Sequence, residues 1–381
     1  MSEIQNTADV VVIGGGVIGM AVARALTLRS AGRVLLIERG SLGRESSYAA
    51  AGMLAPQAEA DRADEFFNLC SRSRDMYPAF AGALAAETGI DIELDTSGTL
   101  YLAFNEHDQE ELAHRYDWQT NSGLSVEKLE GDAVRRLEPC LSAEVRAALR
   151  FPRDIQVENR RLLSALAVSN EKLGVRLLSG TTVESLRLEH GRVVGVETSG
   201  GFFSTPTVVM AGGAWTTFIT STDPATPGVR IEPVRGQMVC LEAHPRLAEH
   251  VIYSPRGYIV PRRDGRLLAG STTEHAGFDK RTTAAGVSSI LSHALEISPL
   301  IAGLPLVDSW AGLRPRAADN LPVLGASNEA RGLVFATGHY RNGILLAPLT
   351  GELIASLIVD NVVSPFMQSF GPERLTATEL C

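Results

Sequence analysis

Cysteine is scarce in this sequence. Four are spread over 381 residues, Cys70, Cys140, Cys240 and Cys381, and no two stand in the C-x-x-C spacing of a zinc or redox centre. A disulfide scaffold is thereby excluded, leaving buried thiols and, in Cys381, an exposed tail residue; no metal site is expected. Basic charge is also short. Against 44 Asp and Glu stand 35 Lys and Arg, a net charge of −9, so the electrostatic footprint of a nucleic-acid binder is missing. No uninterrupted apolar run reaches the ~18 residues of a membrane span. The arm Ser2 to Asp9 has neither the basic nor the apolar region of a signal peptide, so a cytoplasmic protein is expected.

What is present is material for a sizeable core. Hydrophobic residues make up 45% of a chain longer than one core usually serves, so two domains are expected. The most informative stretch is Val10 to Glu38. Val10 to Ile13 is a β-branched run, apolar on both faces, as in a buried parallel strand. Gly14, Gly16 and Gly19 follow in G-x-G-x-x-G order. The first suits a tight bend, the second the approach of a pyrophosphate to backbone, and the third close helix–strand packing. Good helix formers fill Val17 to Leu28, whose first N–H groups would face the phosphates. A second strand from Val34 ends at Glu38, 19 positions beyond Gly19, where a carboxylate accepts from a ribose diol and repels the 2′-phosphate of NADP. This is an α/β dinucleotide site of Rossmann type. FAD and NAD present the same ADP half to it, so the motif alone does not choose between them.

Beyond Glu38 and Arg39 lies a segment rich in Gly, Ser and Ala that lets a large ligand lie close. Ser46 and Ser47 there suit either phosphate binding or helix capping. Asp64 to Glu87 reads as an amphipathic helix, and alternation from Asp91 to Phe104 argues strands. A helix opened by Asn159 and a hairpin turning at His190-Gly191 come next. The strand Thr207 to Met210 then runs into Ala211-Gly212-Gly213, a second glycine contact. After short strands around "YIVPRR" and "WAGLRP", the strand from Leu333 leads into "GHYRNGI" and an apolar helix, a second helix start aimed at a ligand.

Taken together, "VVVIGGGVIG", "SSYAAAGML", "VVMAGGAW", "YIVPR", "WAGLRP" and "GHYRNGI" resemble the flavin amine oxidases related to D-amino acid oxidase, and among them the glycine oxidases. The resemblance implies FAD as cofactor, contacted by Val17, Ile18, Glu38, Arg39, Ser46, Ser47, Ala51, Gly52, Met53, Val183, Gly212 and the run His339, Tyr340, Arg341, Asn342, Gly343, Ile344 and Leu345. It implies a discontinuous FAD domain, residues 8–88, 148–222 and 308–365, carrying a mainly antiparallel substrate domain, residues 89–147 and 223–307. No cysteine lies between Arg314 and Arg341, so FAD is expected without a covalent bond. A homo-oligomer is implied by resemblance only.

Three residues match the family's substrate motifs: Tyr258, Arg314 and Arg341. A guanidinium fork matches a carboxylate bidentately and a phenol adds a donor, which suits an amino acid. Without the resemblance, a buried Arg is more often an ion-pair partner and a strand Tyr a core residue, and Arg341 alternatively serves flavin or loop. The implied reaction passes hydride from the amine's Cα to flavin, giving an imine that water hydrolyses while O2 becomes peroxide, and it serves thiamine synthesis. No protein base is required, so His339 is expected to shape its loop. The alternative is a D-amino acid dehydrogenase that passes electrons to a quinone. Two departures from the glycine-oxidase pattern bear on substrate range: Thr273 replaces a methionine, and Arg256, expected at the surface, replaces a histidine.

Overall fold

A computed structural model describes residues 6–222 and 228–376; Cys381 and the start of the N-terminal arm lie outside them. Val10–Ile13 is a strand buried on both faces and central to a six-stranded sheet. Val34–Glu38 and Arg176–Ser179 lie on one side of it, and Val208–Met210 and Leu333–Thr337 on the other, all parallel, with Val323–Ala326 antiparallel at one edge. Period-two alternation divides the apolar side chains between two cores. Val10, Val12 and Leu36 face the helices Val17–Leu28 and Gly343–Ala355, while Val11, Ile13 and Leu35 face a four-stranded sheet that includes Val183–Glu189. Each buried Val or Ile contributes about 1.5–3 kcal/mol, so neither face tolerates polar replacement. The strand order reverses at Val10–Ile13, which opens a crevice at the carboxyl ends of the strands.

The second large sheet has eight strands, ordered Leu306–Arg316, Glu232–Glu242, Arg266–Gly270, Tyr258–Pro261, Val251–Tyr253, Thr99–Ala103, Ala147–Phe151 and Glu127–Glu130. It is antiparallel apart from the pairing of Val251–Tyr253 with Thr99–Ala103. Val239, Leu241 and Ile259 pack under the helix Ala284–Ile297, and their alternates Met238, Cys240 and Val260 face the other way, toward the crevice.

Several boundaries differ from expectation. Ala147–Phe151 and Leu306–Arg316 pair in the eight-stranded sheet, so the junctions expected at 148 and 308 fall in or beside its strands. Asp91 to Phe104 is strand only over Thr99–Ala103, because Glu93 at φ 54° and Gly98 at φ 101° turn the chain out of extended geometry. The helix Asn159–Lys172 does open at Asn159, and its cap is Glu158, which accepts from the Arg161 N–H. The turn at His190-Gly191 is as expected, with both residues at positive φ.

The 18 residues Gly343–Asp360 are long and apolar enough to cross a membrane by length and composition. They instead pack on Val17–Leu28, so closely that a Cβ at Gly351 would press on the Ala21 carbonyl at 2.8 Å. This is a core helix. Its start and that of Val17–Leu28 therefore lie side by side, two positive dipole ends at one crevice.

Candidate active site

Between the two sheets lies an open cleft, whose empty space together with the solvent at its mouth is about 1100 Å³. Its floor is the dinucleotide turn. Gly14 takes φ 108°, and a Cβ there would collide with the Ala211 carbonyl; a Cβ on Gly19 would collide with the Gly14 carbonyl. Both glycines act by packing and do not line the cleft. Gly16 does line it, and a Cβ there would meet only Ser47 Oγ, at 3.3 Å. The space left by its missing side chain opens to the cleft beside Val17 and Ile18. Ser46 and Ser47 also line the cleft and neither caps their short helix; Ser47 Oγ accepts from the Val17 N–H at 3.1 Å.

Glu38 lies behind the turn. Its two carboxylate oxygens accept from the N–H groups of Gly15 at 2.7 Å and Gly40 at 2.9 Å, and each keeps a further lone pair for a ribose hydroxyl. Arg39 stacks over Trp215, with its guanidinium carbon 3.7 Å from the ring centroid, and pairs with Glu45. Ala51, Gly52 and Met53 line the cleft, held by Arg262, whose Nη2 donates to the Ala51 carbonyl at 2.6 Å. That arginine directly follows Pro261 in the "YIVPR" motif. Glu38, Arg39, Gly212, Asn342 and Leu345 do not line the cleft, and Val183 is buried at the start of a strand of the four-stranded sheet. Their expected cofactor contacts are not formed by cleft-facing side chains.

The second sheet supplies the roof. Tyr258, Met238 and Arg314 line the cleft, and Arg341 enters from the loop before Gly343–Ala355, so the three expected substrate residues are brought together. Arg314 sits on Leu306–Arg316 opposite Val234, and its guanidinium lies over Gly236, where a Cβ would collide with it. The guanidinium donates to the Thr272 carbonyl at 3.1 Å and to Ser271 Oγ at 2.7 Å. Both partners are neutral. Burial pulls its pKa below the usual value, as expected for a cation without a contact anion. Arg341 Nη2 donates to Thr273 Oγ1 at 2.9 Å at the exposed mouth. Tyr258 turns its hydroxyl toward Met238 Sδ, at 3.4 Å.

Arg256 lies elsewhere. It forks onto Glu296, with both bonds at 2.6 Å, and lies against Phe104. Its charge is neutralised away from the cleft, so Arg256→His is expected to change kcat/KM for glycine and for D-aspartate less than about two-fold, within the usual range of a paired surface residue. A larger change in steady-state assays would place its charge in the site.

His339 is buried in the wall of the cleft, its Nε2 3.1 Å from Thr350 Oγ1, and burial pushes its pKa down to about 3. An imidazole with so low a pKa is too weak a base to take a proton at working pH, which agrees with a loop-shaping role. The unfolded chain, with a His pKa of about 6.5, binds a proton that the folded protein refuses. Stability is unaffected by this group above about pH 6.5 and falls as pH drops toward 3, the loss amounting to about 2 kcal/mol at pH 5. Denaturant midpoints at pH 7.5 and 5 are expected to converge in His339→Gln; an unchanged gap assigns the acid sensitivity to other groups.

Residues 9–357 match the family described as FAD dependent oxidoreductase, and the chain belongs to that family. It is 39% identical over 352 residues to a glycine oxidase of Geobacillus kaustophilus, covering 92% of each chain. The crystal structure of glycine oxidase from that organism superposes with a TM-score of 0.91 over 96% of this chain and 98% of the other, at 36% identity. It is also 35% identical to the "Bifunctional protein ThiO/ThiG" of Synechocystis, covering 98% of this chain but 55% of that relative. This chain thus spans about half the length of the bifunctional relatives it matches.

The residues present fit FAD. Gly16 leaves a cradle that a side chain would fill, and two helix starts and the ends of two parallel strands, at Ala211 and at Ala336-Thr337, line the same cleft. Glu59, Gly236, Met238, Ser271 and Gly312 also line the cleft and were not singled out in the sequence. A glycine inside a strand, as at Gly236 and Gly312, was the available signal.

Proposed function

We propose that this protein is an FAD-dependent oxidase of glycine and other small amines, such as sarcosine and small D-amino acids, with O2 reduced to peroxide. The observation that carries the reading is Arg314, a cleft-lining guanidinium held only by neutral partners and set over a glycine. An unpaired interior charge is costly, and a substrate carboxylate satisfies it bidentately. Tyr258 adds a donor on the same wall, so the acid end of an amino acid is anchored and its Cα is turned away from the roof toward the floor. Flavin, when bound, supplies the electron acceptor. The apolar floor and the core helix Gly343–Ala355 keep bulk water from the inner end of the cleft. The parallel sheet and its helices form the cofactor-binding part, and the eight-stranded sheet forms the substrate part. FAD is held without a covalent bond, the protein works in the cytoplasm as a homo-oligomer, and its imine product feeds thiamine synthesis.

The test is anaerobic mixing of the yellow protein with glycine, sarcosine, D-alanine and D-proline, followed by air. Bleaching by glycine and sarcosine, and one peroxide per imine, is the expected result. Reduction only by bulky D-amino acids, without peroxide, would instead make the protein a dehydrogenase. Flavin that stays on the polypeptide after acid or heat would overturn the non-covalent assignment.

A further inference from the structure

Among the described residues one acidic side chain enters this cleft, and nothing in the proposed reaction uses it. Glu59 ends the short helix Pro56–Glu59, which follows the small-residue segment. Its mount is unusually well fixed. Pro56 occupies the first turn, and the N–H groups of Gln57 and Ala58 donate to the buried Asp154 carboxylate at 3.3 and 2.9 Å. Arg74, equally buried, holds Asp154 from the other side at 3.4 Å. The Gln57 side-chain amide donates to Gln119 Oε1, and the Gln119 side-chain amide donates to the Gln57 backbone carbonyl, both at 2.9 Å. A helix of one turn tied down this way presents its last side chain in one place.

That place is the wall facing the two arginines. Solvent reaches Glu59 through the cleft, and its Oε1 accepts from the Tyr253 hydroxyl at 3.0 Å. Protein surrounds it closely enough that burial raises its pKa, against the pull of Tyr253, Arg341 and Arg314. Glu59 forms no contact ion pair among the described residues; Arg341 and Arg314 act on it across the cleft, and Arg115 acts from its own side, where its guanidinium donates to the Ala58 carbonyl at 3.0 Å. The formal charge of the lining is therefore set by Arg314, Arg341 and Glu59, and it is one positive charge in excess.

We infer that Glu59 is a specificity-determining residue that limits the cleft to substrates carrying a single acid group. The inference rests on the proposed amine-oxidase reading. One carboxylate balances the lining of the wild-type cleft. A second acid group leaves an uncompensated negative charge facing Glu59 in the cleft, and at the effective dielectric constant of about 20 typical of pairs near a protein surface a few ångströms of separation cost an order of magnitude or more in binding. Removing the Glu59 charge makes the same cleft complementary to a dianion.

Two pairs of ligands differing by one carboxylate test this. Glycolate against malonate is measured by calorimetry on the FAD-loaded protein, and sarcosine against iminodiacetate by kcat/KM. Wild type is expected to disfavour the diacid of each pair by at least about 10-fold, and Glu59→Gln, which keeps an acceptor for Tyr253, to shift both ratios toward the diacid by at least about 10-fold. Glu59→Asp keeps the charge and is expected to retain the wild-type ratios. Equal affinities for glycolate and malonate in wild type, or ratios that do not move in Glu59→Gln, would overturn the inference. Should Glu59→Gln not fold, the wild-type and Glu59→Asp ratios still decide. If sarcosine fails to reduce the flavin at all, the oxidase reading falls, while the calorimetric pair continues to report on Glu59 alone.

Discussion

Arg314→Ala is expected to lower kcat/KM for glycine by roughly 100-fold with no loss of bound FAD. A charge-assisted hydrogen bond contributes ~1.5–3 kcal/mol and a bidentate pair more, and each ~1.4 kcal/mol is ten-fold. Flavin content stays because Arg314 belongs to the roof, and its own hydrogen bonds go to Thr272 and Ser271. Arg314→Lys is expected to recover little, since an ammonium cannot reproduce the planar fork. Gly236→Ala offers an independent route to the same defect. Its methyl group would occupy the space of the Arg314 guanidinium, so that the arginine is kept but displaced. Steady-state kinetics with glycine, together with the flavin absorbance per protein, read both effects. Wild-type affinity in Arg314→Ala would move the carboxylate site to Arg341, and unchanged kinetics in Gly236→Ala would show that the guanidinium is free to swing.

Much of the floor was legible in the sequence because it depends on local rules. Four β-branched residues, three spaced glycines and a distant acid specify a strand, a turn, a helix and a second strand through backbone geometry alone, and the structure places each element within a residue of expectation. The roof is different. Arg314 and Tyr258 carry no local signature that separates a substrate ligand from a structural residue, and only resemblance to a family distinguished them. Glu59 had not even that support. Its significance arises from Asp154, Gln119 and Tyr253, residues 95, 60 and 194 positions away, and long-range contacts of that kind leave no periodicity to read. The run after Asp91 failed for the opposite reason. Alternation was present, but the positive φ at Glu93 and Gly98 overrode it. Ser46 and Ser47 were ambiguous because a hydroxyl suits a helix cap and a ligand equally, and the tertiary bond from the Val17 N–H to Ser47 resolves only what the free serine does.

The glycines of the floor separate folding from cofactor binding, and two substitutions differing by three positions are expected to fail in different ways. A Cβ on Gly19 would collide with the Gly14 backbone carbonyl, an atom that no rotamer change can move aside. Helix and strand must then part, at a cost at or above the ~1–3 kcal/mol typical of overpacking. Since Gly14 and Ala211 meet at the same point, the turn itself is lost. Gly19→Ala is therefore expected to be colourless and to melt at a lower temperature even against cofactor-free wild type. Gly16 occupies the N-cap position at φ −75°, which alanine adopts freely, and its Cβ would touch only Ser47 Oγ at 3.3 Å. Gly16→Ala is expected to leave the cofactor-free protein within about 1 kcal/mol of wild type, the scale of a changed helix cap. Its methyl group instead occupies the space through which phosphate oxygens reach the helix start, so FAD affinity is expected to fall at least 10-fold, or ~1.4 kcal/mol. Thermal melts of both apoproteins and a fluorescence titration with FAD distinguish the two. A Gly19→Ala protein that binds FAD normally would show that the close packing at the turn is dispensable. Unaltered affinity in Gly16→Ala would move the pyrophosphate off the glycine turn and leave the start of Gly343–Ala355 as the principal anion site.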